Sequence, residues 1–175
     1  NAYRDGNMDH ALENAKKLVE NYIDAYESYV WLGQVQSDRH ELDEAMKSLK
    51  KAIELNPDCY QANNILMGHH IAAGSQVMLP EEKRDVELGM KYGDELIRIR
   101  GDHGYPYHFK ANVYRQLGEF EKAKPLYEKS IQKRKGSSAE GTALIVSGHN
   151  YMFSGDFETA RNRYEKAVQT SPKKT

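Results

Sequence analysis

The chain has a single cysteine, a single tryptophan, five prolines and almost no excess of charge of either sign. One cysteine, Cys59, closes no intramolecular disulfide, which excludes a disulfide-stapled scaffold and fits a reducing compartment, with the cytoplasm favoured. No activating neighbour flanks Cys59 in sequence, so it is not read as a nucleophile. With 25 Lys and Arg against 26 Asp and Glu, the net charge of -1 supplies no field that draws the chain to nucleic acid or anionic lipid. No apolar run approaches the roughly 18 to 20 residues that span a bilayer, so no membrane insertion is expected. Gly-rich phosphate loops, His-Glu zinc motifs and nucleophile elbows are missing as well. No catalytic residue, cofactor or metal is therefore predicted, and no stretch alternates as a strand does.

What the chain does have is internal repetition. Gly118-Glu119-Phe120-Glu121-Lys122-Ala123, followed by Tyr127, returns 37 residues later as Gly155-Asp156-Phe157-Glu158-Thr159-Ala160, followed by Tyr164. A period of this size signals stacked helical hairpins. Apolar residues at three and four residue spacings predict helices over Asn7 to Asn21, Tyr26 to Ser37, Leu42 to Leu55, a stretch ending at Gly74, and Pro80 to Ile99. Four more follow over Pro106 to Leu117, Phe120 to Lys133, Ala139 to Phe153 and Phe157 to Thr170. Asn7 is a candidate N-cap. Asn56-Pro57 stops the third helix, and Asp58 with Gln61 has the spacing of a capping box for the fourth. Gly118 and Gly155 suit turns that need positive φ.

The pairing of these helices resembles the tetratricopeptide repeat family, a 34-residue helix-turn-helix unit. The last copy carries the resemblance best, through Leu144, Ser147-Gly148, Tyr151, Gly155, Phe157, Ala160, Tyr164, Ala167 and Pro172. An earlier one reads Tyr29, Leu32-Gly33, Ala45, Leu49, Ala52 and Pro57, and a third reads Tyr107, Ala111, Tyr114, Gly118, Phe120, Ala123 and Tyr127. The resemblance implies an all-α fold, a right-handed superhelical array of antiparallel hairpins with about nine helices. Small residues such as Gly33, Gly68, Ala111 and Gly148 belong where helices cross, and Tyr127 and Tyr164 where they diverge. Tyr164→Ala is accordingly expected to cost about 3 kcal/mol.

On this register residues 1–25 are the second half of a truncated repeat. Repeats then run over 26–59, 60–103, 104–138 and 139–175, the last including a tail. The second repeat is long by nine residues, placed near 75–84, and carries Gly89 and Gly93 where larger residues are usual. Its second helix is therefore either weak or unusually close-packed. Neither end carries a polar capping helix, so flanking repeats or another domain, and self-association through open end helices, are expected.

In this family the first helices of successive hairpins line a concave groove. Carried over, the groove residues are Trp31, Gln34, Ile65, His69, Tyr105, His108, Asn112, Arg115, His149, Met152 and Phe153, with Glu27 and Val30 beside them. Aromatics, imidazoles and amides of this kind suit a peptide or protein segment held by apolar anchors. The Lys and Asn clamp by which one subgroup binds acidic chaperone tails is not kept: one register gives Val30, Gln34, Leu66, Tyr105 and Phe109, the other Ile65, His69, Phe109, Thr142 and Val146. His69, His108 and His149 recur on groove positions but sit too far apart for one metal ion. The basic run from Lys122 to Lys135, interrupted by Glu121 and Glu128, reads as a solvated face rather than a nucleic-acid surface. The functional expectation is a non-catalytic scaffold for a protein or peptide. Its alternatives are a regulatory or substrate-recruiting arm of a larger enzyme or signalling protein, and a self-assembling element.

Overall fold

A computed structural model describes residues 7–71 and 78–170. Among these, nine α-helices and one 3-10 turn are found and no strand. The chain falls into two compact units, residues 1–99 and 100–175. The first holds α1 (Met8–Asn21), α2 (Tyr26–Asp38), α3 (Leu42–Leu55), α4 (Tyr60–His70), a 3-10 turn at Glu81–Lys83 and all but the last residue of α5 (Val86–Arg100). The second holds α6 (Tyr105–Gln116), α7 (Phe120–Arg134), α8 (Glu140–Phe153) and α9 (Phe157–Thr170).

The helices pack mainly on their chain neighbours, α2 on α3, α6 on α7 and α8 on α9, as antiparallel hairpins do. The residues that make the pattern are the ones that pack. Leu49, Ala52, Cys59, Ala62 and Leu66 form one core between α3 and α4, and Ala11, Ala15, Leu32 and Val35 another between α1 and α2. In the second unit Ala111, Ala123 and Tyr127 knit α6 to α7, and Ile131, Ala143, Leu144 and Ala167 join α7, α8 and α9. Small residues mark the close crossings: a Cβ on Gly33 would lie 2.6 Å from Leu49 Cγ, and one on Gly148 2.6 Å from Tyr164 Cε1.

One turn closes three hairpins. Gly118 and Gly155 have φ of 75° and 85°, and each is followed by a residue whose N–H bonds back to the carbonyl of Tyr114 or Tyr151. In the first hairpin the equivalent residue is His40, at φ 61°, with Glu41 N–H bonded to the Gln36 carbonyl in the same way. An L-residue there carries strain that glycine does not. His40→Gly is expected to raise stability by roughly 0.5–1 kcal/mol in urea denaturation, and a loss would show that the His40 side chain contributes more than its backbone costs.

Three local expectations fail between Asn56 and α5. Asp58 and Gln61 form no capping box. The Asn56 side chain takes the Asp58 N–H at 3.0 Å, helix α4 starts only after Cys59, and the Asp58 carboxylate pairs with Arg98 of α5 at 2.7 Å. Helix α4 also stops at His70, with Ile71 extended, and the expected continuation through Ala73 to Gly74 lies outside the described residues. Finally, Pro80-Glu81-Glu82 opens a single 3-10 turn instead of a helix. Arg84 Nε donates to the Leu79 carbonyl across the turn, while the Leu79 N–H donates to the His69 carbonyl and the Asp85 N–H to His70 Nδ1, pinning both ends of the segment to α4. Helix α5 then begins at Val86, with Asp85 Oδ1 accepting the Leu88 N–H at 2.9 Å. Of the stretch assigned to the insertion, residues 75–77 lie outside the described residues, as does Pro172-Lys173-Lys174.

Gly89 sits at a close approach rather than a weak point. A Cβ there would collide with Ile71 Cγ1 and lie 3.0 Å from His70 Cβ, so α5 approaches α4 where only glycine fits. Gly89→Ala should lower stability by about 1–2 kcal/mol net, overpacking exceeding the gain in helix propensity. A higher melting temperature for that variant would refute close packing.

Candidate functional site

The first helices of two successive hairpins in the first unit, α2 and α4, lie side by side over α3. Val30 and Ile65 turn inward against the Leu49–Leu66 core, and the residues beside them border an open cleft of about 430 Å³. Tyr26, Glu27, Trp31 and Gln34 line it from α2, and Tyr60, Gln61 and Asn64 from α4. Three groove residues expected from the sequence, Trp31, Gln34 and Ile65, meet here. Trp31 also packs on the core shared by α1 and α2, which holds its ring in place. Tyr60, Gln61 and Asn64 escaped sequence reasoning, although Tyr60 to Asn64 and Gln61 to Ile65 are one helical turn apart and share that face.

His69 continues the spacing from Ile65 but does not reach the cleft. It is 1 % exposed, and its Nε2 lies 3.1 Å from Ser37 Oγ. The Ser37 hydroxyl donates its proton to the Gly33 carbonyl at 2.7 Å, so His69 Nε2–H must be the donor between them. Nδ1 is then a buried lone pair with no partner among the described residues. Burial, and secondarily His70, holds the His69 pKa down at about 4. His69 is therefore a neutral wall between α2 and α4, not a groove contact. Its neighbour His70 stacks near Tyr92, and burial lowers its pKa too.

In the second unit Tyr105, His108, Asn112 and Arg115 follow one stripe of α6, and three of them converge on Tyr127 of α7. The Tyr127 hydroxyl donates to Asn112 Oδ1 at 2.6 Å and accepts from Arg115 Nε at 3.2 Å, while the His108 ring meets the Tyr127 ring edge-on at 6.2 Å. His108 is driven to a pKa of about 4 by burial first, then by the cations of Arg134 and Arg115, and its Nδ1 has no partner among the described residues. Tyr105 is 37 % exposed and stacks edge-on against Phe109 at 4.3 Å.

The α8 residues form a separate cluster. His149 packs beside Tyr164 at 5.8 Å, and Met152 Sδ lies 3.9 Å from the Tyr164 hydroxyl. Phe153 is 57 % exposed, with the Arg115 guanidinium 5.8 Å from its ring centre, linking α8 to α6. A second cleft, about 570 Å³, opens at the hairpin-turn edge between Gly118–Lys122 and Phe153–Ser154, and of the expected groove residues only Phe153 reaches it. Among the described residues no three His, Cys, Asp or Glu side chains gather in a metal-binding group, and no helix is long and apolar enough to cross a membrane.

The family model for the tetratricopeptide repeat matches residues 26–59, 105–132 and 142–174, together more than half of the chain. The chain belongs to the tetratricopeptide repeat family. As a tetratricopeptide repeat protein it is a protein–protein interaction scaffold, of a fold that is generally non-catalytic. Solved structures share the fold. A crystal structure of MamA superposes with a TM-score of 0.77 at 24 % identity, over 97 % of this chain and 91 % of that one. The 41-end segment of MamA from Desulfovibrio magneticus RS-1 gives 0.73 at 14 % identity, covering 97 % and 88 %. TTC0263, a thermophilic TPR protein in Thermus thermophilus, gives 0.66 at 19 % identity, covering 98 % and 87 %. At these identities the likeness bears on fold alone.

Proposed function

We propose that this tetratricopeptide repeat protein binds a peptide or protein segment along the first helices of its hairpins, with the α2–α4 cleft as an anchoring site. The observation that supports it most is the 430 Å³ cleft itself, whose lining combines aromatic and aliphatic faces with three side-chain amides. That volume is within the range of specific ligand sites, and amides set beside apolar walls suit an extended backbone with one anchored side chain. In the second unit Tyr105, Met152 and Phe153 offer an exposed apolar surface of its own. Asn112 and Arg115 support it there by fixing the face of α6 through Tyr127.

Gln61→Arg with Asn64→Arg places bulk and charge in the cleft from positions at its rim. Capture of a partner by the unmodified chain should fall at least about ten-fold in this double variant, at an unchanged melting temperature. Undiminished capture would refute the cleft as the anchor. Self-assembly is the second reading, favoured by the exposure of Val168 at 75 % on α9 and of Ile23 at 64 % before α2. It predicts sedimentation that grows with concentration and is reduced by Val168→Glu, with the cleft variants unaffected.

A further inference from the structure

The stripe of α2 that faces the cleft has a charge pattern of its own. Glu27, Trp31, Gln34 and Asp38 succeed one another at four, three and four residues, which places all four on one face. Among the described residues Glu27 is the only charged one lining the cleft, and no Lys, Arg or His joins it there. The Gln34 amide is turned along the helix, its Nε2 donating to both oxygens of Asp38 at 3.1 Å. This face of α2 therefore offers the Glu27 carboxylate inside the cleft and the Asp38 carboxylate one turn past Gln34, just beyond the lining.

Among the described residues neither carboxylate is held in an ion pair with Lys or Arg. Glu27 shares a hydrogen bond with the Tyr26 hydroxyl, and Asp38 is held by Gln34. Arg39, the nearest cation along the chain, is engaged by Asp9 at 2.5 Å and Glu41 at 2.7 Å. Burial raises the Asp38 pKa, and the nearby His40 imidazole opposes that shift without cancelling it.

We infer that the cleft takes an extended peptide segment in which an apolar side chain is flanked by lysine or arginine. The apolar side chain sits against Trp31 and Ile65, and the cation meets Glu27 within the cleft or Asp38 just beyond its end. Helix geometry sets the spacing. Glu27 and Asp38 are about 6 Å and 10 Å along the axis from Trp31, a reach of about two and three residues of extended chain. This inference rests on the groove reading and adds to it the chemistry of the ligand.

The test is selection of a random dodecapeptide library on the immobilised chain, followed by calorimetry with the enriched peptides. The expected result is that enriched peptides place Lys or Arg within three residues of an apolar side chain. Glu27→Lys should weaken them about ten-fold or more, Glu27→Gln by less, and added salt should weaken them as well. Circular dichroism of both variants, which change a surface residue, confirms the fold. Enriched peptides rich in Asp or Glu, or affinities indifferent to Glu27→Lys, would overturn the inference. If such peptides still lose binding in Gln61→Arg/Asn64→Arg, the groove reading survives that result. Peptides that bind equally to the cleft-filled double variant, or a library that yields no binder, would overturn both.

Discussion

Replacing Tyr127 with alanine should cost about 3–5 kcal/mol of stability, and replacing it with phenylalanine about 1–2 kcal/mol. The ring is 1 % exposed and fills the space between Ala111 and Ala123, so truncation leaves a cavity bounded by helices that collapse only partly. Phenylalanine keeps the ring but strips the hydroxyl from Asn112 Oδ1 and Arg115 Nε, leaving two part-buried groups to find other partners. Urea denaturation of the two variants separates these contributions, and equal losses would show that the hydroxyl alone stabilises the seam. Tyr164, which stands at the same place in the last hairpin, is only half-buried. Its truncation should cost about 1–2 kcal/mol, less than the 3 kcal/mol the repeat pattern implies, because a ring that is already partly exposed loses less buried surface.

The second large effect is acid lability that sets in above the range in which carboxylates titrate. His69 and His108 have pKa values of about 4 in the fold against an ordinary 6.5. Above pH 6.5 both states are neutral and these groups contribute no pH dependence. As pH falls from 6.5 toward 4 the unfolded chain takes up protons first, so stability is lost at up to about 1.4 kcal/mol per pH unit for each histidine. Below about 4 the folded form is protonated too, and their contribution to the slope ends. His70, lowered by burial, acts in the same direction. The measurement is unfolding free energy against pH for the natural chain and for His69→Gln with His108→Gln. The double variant should lose most of the slope between pH 6.5 and 4, whatever its absolute stability. An unchanged slope would show that neither histidine is held neutral.

Periodicity located the helices well where packing and punctuation agree. α3 and α9 begin and end where their Leu and Ala stripes meet Asn56-Pro57 and follow Gly155-Asp156, because each boundary is made by residues within the helix or next to it. Pro125 lies inside α7 without ending it, the stripe from Ala123 to Ile131 outweighing one absent N–H donor. Boundaries made by distant partners were not legible. The chain from Leu79 to Asp85 makes one 3-10 turn instead of a helix because the carbonyl of His69 and the ring of His70 hold its two ends, and no pattern within Pro80–Asp85 records that. His40 hides a turn that Gly118 and Gly155 announce, since histidine tolerates positive φ without advertising it. The site divides in the same way. Spacing shows which residues share a face, as with Trp31 and Gln34, but depth depends on what crosses that face. His69 lies on the groove side of α4 by spacing and is sealed by Ser37 of α2.

The chain's one tryptophan stands on α2, in the first unit, and twelve tyrosines are spread through both units. Indole emission excited at its red edge therefore follows the α1–α5 unit alone, while the far-ultraviolet helical signal follows the helices of both units. Denaturation recorded by both signals at once yields two curves from one sample. Their separation, or coincidence, measures how far the two halves of the array unfold as one cooperative body, without a label or an added mutation.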